Sequence, residues 1–175
     1  MMKVLRIILG ILVILVALFY AIGSLLPKTY NISRSVMIHA SDSVVYMNVA
    51  DLNNFLKWNP WTKMDPDAEV SISGTPAQTG HLWEWMGKKT GSGQMELIRA
   101  NPYALAEFRL RFLEPFESEA ISGFTFKNTA EGTEVEWYMS GEANSIPDRW
   151  MGLSMDMMMD KDFTGGLQAL KELSE

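Results

Sequence analysis

Ala104-Leu105-Ala106-Glu107-Phe108-Arg109-Leu110-Arg111-Phe112 is the stretch that decides the fold. Ala104, Ala106, Phe108, Leu110 and Phe112 fall on one side of an extended chain, with Glu107, Arg109 and Arg111 on the other. A period of two marks a strand with one dry and one wet face, the pattern of an antiparallel sheet. Thr133, Val135, Trp137 and Met139 repeat it against Glu134, Glu136 and Tyr138. Shorter stretches at 69–73, 81–86, 94–99 and 117–127 also read as strands. The turn signals between them are Gly74-Thr75-Pro76, Gly91-Ser92-Gly93, Asn101-Pro102, Glu114-Pro115 and Glu131-Gly132.

Upstream, residues 29–40 form a further strand, with Tyr30, Ile32, Val36 and Ile38 on one face and Asn31, Ser33, Ser35 and His39 on the other. Ser41-Asp42-Ser43 offers helix N-cap chemistry, and helical spacing runs through Val44, Val45, Tyr46 and Val49 toward Phe55. Asp51-Leu52-Asn53-Asn54 breaks this into two short helices. Trp58-Asn59-Pro60-Trp61 is expected to end the second, because a residue before proline avoids the helical region.

Downstream of Pro147, Met151, Met155, Met159, Phe163, Leu167 and Leu170 recur three or four apart, with Asp156, Asp160 and Lys161 largely off that face. This is a long amphipathic helix. Gly165-Gly166 weakens it by about 1–2 kcal/mol relative to alanines, a cost that close packing on the sheet would justify. A sheet with one apolar face must cover it, and this helix is the only element large enough. A curved antiparallel sheet gripping a helix leaves a wedge between them where a ligand fits.

Ahead of the sheet lie twenty uncharged residues, Ile7 to Leu26, flanked by Lys3, Arg6 and Lys28. A helix of that length measures about 30 Å, the thickness of a bilayer's hydrocarbon core. Residues 1–28 are read as a single-pass anchor in the cell (inner) membrane, and residues 29–175 as one soluble domain. A cleaved signal peptide is the alternative, with small residues at Ala21-Ile22-Gly23. The apolar run exceeds the usual stretch of about 7–15 residues and continues past that site, which favours retention. The positive-inside rule favours a cytoplasmic N-terminus and an exported domain.

Composition excludes several classes of chemistry. The chain of 175 residues has no cysteine, which removes disulfides, zinc–thiolate sites and cysteine nucleophiles. Net charge is −6, and since residues 1–28 hold three cations and no acid, the remainder carries −9. Such an acidic body is a poor partner for nucleic acid.

Ala40-Ser41-Asp42-Ser43-Val44-Val45-Tyr46, then Asp51, Phe55 and Trp58-Asn59-Pro60-Trp61, resembles a pattern of the SRPBCC superfamily. That superfamily includes START, polyketide cyclase/dehydrase and pollen-allergen-like domains. Trp85-Met86-Gly87, Gly91-Ser92-Gly93-Gln94-Met95, and the tail from Met151-Gly152 through Lys161-Asp162-Phe163 to Gly166-Leu167 and Leu170 extend the likeness over 29–173. The resemblance implies an α+β helix-grip fold. In it a seven-stranded curved antiparallel sheet wraps a long C-terminal helix, and two short helices lie between strands 1 and 2; here one transmembrane helix precedes the domain. The likeness extends to a subgroup of bacterial polyketide cyclase-like proteins with a membrane helix before the domain. It implies a hydrophobic cavity for a lipid, polyketide or other apolar small molecule, but no single reaction.

Six tryptophans and thirteen methionines supply the candidate cavity wall. The expected lining is Trp58, Trp61, Trp83, Trp85, Phe108, Leu110, Phe112, Trp137, Met139, Met151, Met155 and Met159, with the methionines a pliable surface for an apolar ligand. Plain core filling is the competing reading for each. Catalytic groups are sparse, and no cofactor or metal site is expected. His39 falls on a polar strand face. His81 could reach the pocket mouth as a base, and Glu84 is the best candidate acid, although alternation sets it opposite Trp83 and Trp85. Asp156 and Asp160 read as a solvated helix face, and Arg109 and Arg111 as solvent-facing. The leading expectation is a membrane-tethered binding module for a small apolar or amphipathic molecule. The alternatives are a cyclase/dehydratase-type enzyme in the same cavity, or an interaction module that docks a partner on the sheet or the Trp58–Trp61 loop.

Overall fold

The computed structural model describes residues 2–175. An apolar helix, α1 (Met2–Leu25), leads into β1 (Thr29–Ile38), then α2 (Asp42–Ala50), α3 (Leu52–Trp58) and α4 (Pro60–Met64). Six strands follow, β2 (Glu69–Ser73), β3 (Leu82–Gly87), β4 (Gly91–Asn101), β5 (Leu105–Glu114), β6 (Ser118–Thr129) and β7 (Gly132–Glu142), and then α5 (Ile146–Ser174). The strands form one sheet in the order β1-β7-β6-β5-β4-β3-β2, with every pairing antiparallel. This is the helix-grip architecture.

The two-residue period sets the faces as expected. Ala106, Phe108 and Leu110 are buried, while Arg109 and Arg111 lie on the outer face and pair with Glu119 at 3.3 and 3.5 Å. Across the inner face, Phe124 lies opposite Trp137 in register and stacks on it with ring centroids 5.0 Å apart. Trp137 is the hub of the core: Phe163 of α5 stacks on it at 4.1 Å, and Trp58 and Trp61 meet it edge-on at 5.7 and 5.8 Å. Its buried indole N–H donates to Ser122 Oγ at 2.9 Å, which removes the cost of burying the donor. Gly166 lets α5 approach, since a Cβ there would stand 2.7 Å from the Trp137 ring.

Two local expectations are corrected. Trp58-Asn59-Pro60-Trp61 starts a helix as well as ending one: Asn59 caps α4 by accepting from the Thr62 N–H at 3.0 Å, and Pro60 takes the first turn. Proline is suited to that place because its missing N–H would have no helical partner. Gly91-Ser92-Gly93 is not the hairpin turn but the start of β4. The turn lies just before it, where the Asp65 carboxylate accepts from the N–H groups of Lys89 (2.7 Å) and Thr90 (3.2 Å), and Gly91 takes a φ of +67°. Those bonds hold the Asp65 carboxyl below its ordinary range.

Candidate functional site

An open cleft of about 1070 Å³ lies at one end of the sheet, between the strand ends and the first half of α5. Thr29 and Tyr30 enter it from β1, Ala120 and Ile121 from β6, Ser140 and Gly141 from β7, and Pro147, Met151 and Met155 from α5. Phe116, in the β5–β6 turn, completes one lip and is 82% exposed. Gly141 is required at the floor, because a side chain there would collide with the Tyr30 ring. Burial raises the Tyr30 phenol above its ordinary range, so it faces the cleft as a neutral hydroxyl.

Four carboxylates also line the cleft: Glu117, Glu119, Glu142 and Asp148. Three are structurally engaged. Glu119 pairs with Arg109 and Arg111, Glu142 accepts from the Asn144 side-chain amide at 3.2 Å, and Asp148 closes a capping box with Ser145 at the start of α5. The Ser145 hydroxyl and N–H hold the Asp148 carboxyl below its ordinary range. The cleft is therefore amphipathic, with an apolar floor, hydroxyls from Tyr30 and Ser140, and anionic walls.

Met151 and Met155 are the two expected wall residues that line this cleft. Trp58, Trp83, Phe108, Leu110, Trp137 and Met139 lie in the buried core, while Trp61, Trp85, Phe112 and Met159 pack partly buried against it. The aromatic centre is thus an interlocked cluster, Phe55 bridging Trp58 at 4.7 Å and Trp83 at 6.1 Å. Two polar atoms within it, Trp83 Nε1 and Tyr46 Oη, are buried without a hydrogen-bond partner.

The expected catalytic candidates lie elsewhere. His81 is buried, and both ring nitrogens are used: the Leu52 N–H donates to Nε2 at 3.0 Å, so Nδ1 carries the proton and donates to the Ser73 carbonyl at 3.0 Å. It ties the start of α3 to the end of β2. Glu84 sits on the outer face beside Gln94, whose side-chain amide donates to it at 3.3 Å. His39 is exposed and bonds the Glu131 carbonyl at 2.8 Å. Asp156 and Asp160 lie on an exposed helix face as expected, and Arg34 on β1 also reaches them at 2.9 and 2.8 Å and joins the strand to α5. Among the described residues no cluster of three or more His, Asp or Glu side chains is placed to hold a metal ion.

Comparisons with known proteins agree with this fold. A family model described as polyketide cyclase / dehydrase and lipid transport matches residues 29–175. No curated protein matches the sequence. Solved structures of similar fold include protein CV1439 from Chromobacterium violaceum, with a TM-score of 0.56 and 17% identity, covering 85% of this chain and 98% of that one. The di-domain ARO/CYC StfQ from the steffimycin biosynthetic pathway aligns with a TM-score of 0.61 at 8% identity, over 84% of this chain and 51% of its own. Ara h 8.0201 aligns with a TM-score of 0.58 at 8% identity, over 83% of this chain and 97% of its own. At these identities the likeness is one of fold.

Proposed function

Since the chain belongs to the polyketide cyclase / dehydrase and lipid transport family, we propose that it is a membrane-tethered binding module for a small apolar or amphipathic molecule. The ligand occupies the cleft between the strand ends and the first half of α5. The cleft itself carries this reading: its volume matches the order of 300–1,000 Å³ common in ligand pockets, and Tyr30, Met151 and Met155 give it an apolar floor. The tether is α1, whose Lys3–Leu25 segment is long and apolar enough to cross a bilayer. Anchoring raises the concentration of the domain beside a membrane-soluble ligand.

The placement of the candidate acid and base favours binding over chemistry at those residues. His81 has no free nitrogen and Glu84 faces away from the cleft, so neither reaches a molecule bound there. The tryptophans of the expected docking loop are turned inward onto Trp137, which weakens the protein-docking reading.

Photolabelling tests the proposal. A palmitate analogue carrying a diazirine is incubated with the full-length protein in mild detergent, irradiated, and its adducts are mapped by peptide mass spectrometry. Adducts are expected on the peptides holding Tyr30 and Met151 to Met155. Labelling confined to α1, equal to that of an unrelated single-span protein, would contradict a cleft that binds amphipathic molecules.

A further inference from the structure

α5 carries an apolar stripe, Ile146, Trp150, Leu153 and Met157, at the spacing that places side chains on one helical face. α1 covers the first half of it. A Cβ at Gly23 would meet Trp150 Nε1 at 2.8 Å, so Gly23 lets the helices touch. Trp150 stacks on Phe19 with ring centroids 5.4 Å apart and donates its indole N–H to the Phe19 carbonyl at 3.2 Å. Arg149 donates to the Ser24 carbonyl at 3.1 Å and lies 3.5 Å from that of Gly23. The last turn of α1 has no cation of its own, so Arg149 complements that helix end from α5. The second half of the stripe is uncovered: Leu153 is 56% and Met157 82% exposed. It begins where α1 ends, since Leu153 lines a small groove with Pro27 and Arg149.

The depth of this contact matters. Phe19 precedes Leu26, the end of the apolar run, by seven residues, which is about 10 Å along a helix. Trp150 therefore stands beside α1 well below the point where the apolar stretch ends. A helix fixed there cannot sit clear of the bilayer that α1 enters. We propose that α5 from Trp150 to Met157 lies on the surface of that bilayer, with Leu153 and Met157 in the lipid. This rests on the reading of α1 as a membrane span.

The charges beside the stripe fit such a surface. Lys161 follows Met157 by one turn and is exposed, as suits the headgroup region. The flanking carboxylates, Asp156 and Asp160, keep 64% and 56% of their side-chain surface exposed, but both are paired with Arg34 of β1, which offsets part of their charge. Met151, on the same stretch of α5, lines the cleft, so the cleft opens at the level of the lipid and exchanges its ligand there.

The absence of cysteine makes the test direct. Single-cysteine variants Leu153→Cys and Met157→Cys, with Leu12→Cys in α1 and Lys127→Cys on the far side of the sheet, are labelled with an environment-sensitive fluorophore. The full chain is reconstituted into phosphatidylethanolamine/phosphatidylglycerol vesicles containing brominated acyl chains. Labels at 12, 153 and 157 are expected to lose fluorescence to the brominated lipid, while the label at 127 keeps it. Quenching at 12 with 153 and 157 behaving like 127 would overturn the inference and leave α1 as a span. No quenching at 12 would remove the span and the inference together. Labels at 153 and 157 that are shielded from water yet unquenched would overturn it too, by assigning the stripe to a second protein copy.

Discussion

The two adjacent glycines of α5 should respond to alanine with opposite signs. A Cβ at Gly166 would lie 2.7 Å from Cζ3 of Trp137 and 3.3 Å from Cδ of Pro60. The indole cannot retreat, because Phe124 stacks on it, Phe163 stacks on it at 4.1 Å, and Ser122 fixes its nitrogen. Overpacking of this kind costs about 1–3 kcal/mol. Replacing a helical glycine returns about 0.8–1.0 kcal/mol, so Gly166→Ala should destabilise by roughly 0–2 kcal/mol. At Gly165 a Cβ meets nothing within 4 Å, and Gly165→Ala should keep the whole gain of about 0.8–1.0 kcal/mol. The two variants then differ by about 1–3 kcal/mol, or roughly 2–12 °C in melting temperature for a domain of this size. Urea unfolding and thermal melts of the full chain in mild detergent, followed by near-ultraviolet circular dichroism, measure the difference. Equal stabilisation by both alanines would refute the seating of α5 on Trp137.

Ser122→Ala leaves the buried Trp137 N–H without its acceptor and should cost about 1–3 kcal/mol in urea unfolding; in a Trp137→Phe background the same change should cost far less. Tyr138 is pushed up to about 12, by burial first and then by its 2.6 Å bond to Glu107, so its phenolate should form last in an absorbance titration. Its contribution to stability is complete below the unfolded value near 10 and is lost as pH rises through about 12. The lowered Asp65 carboxyl works in the opposite direction: its contribution is present above the unfolded value of about 3.9 and is lost as pH falls through the lower folded value. The protection of the Lys89 and Thr90 amides, the N–H groups it holds, measured against the intrinsic exchange rate at each pH, should fall on acidification before that of the buried strand amides.

The sheet was legible because it has one wet face. Glu107, Arg109 and Arg111 interrupt the apolar residues of β5 at the two-residue period, and the outer-face pairs with Glu119 show why those positions are charged. The turn before β4 was not legible. Gly91 and Gly93 resemble a hairpin, but Gly93 is small because Trp85 crosses it, and the turn is held by Asp65 from far along the chain. Likewise Pro60 reads as a stop, although Asn59 supplies the cap for a new start. The cleft is harder still, since Tyr30, Phe116, Ser140 and Asp148 come from four separate segments and share no motif. Richness in tryptophan was read as a cavity wall, whereas Trp58, Trp61, Trp83, Trp85 and Trp137 lie in or against the interlocked centre, as in the competing reading of plain core filling. Only the methionine spacing on α5 pointed to the cleft, through Met151 and Met155. The contact between α1 and α5 left no periodic trace, because it depends on Gly23, Arg149 and Trp150 meeting across the fold.

The central claim, that a small apolar or amphipathic molecule fills this cleft, is tested most directly by native mass spectrometry of the full-length protein extracted from membranes in mild detergent. The measurement is repeated on Met151→Trp, which adds bulk to the cleft from a position outside the core cluster around Trp137. A discrete co-purifying mass at one-to-one stoichiometry, lost or strongly reduced in the variant, is the predicted result. Bare protein in both preparations, or an unchanged bound mass in the variant, would contradict the account.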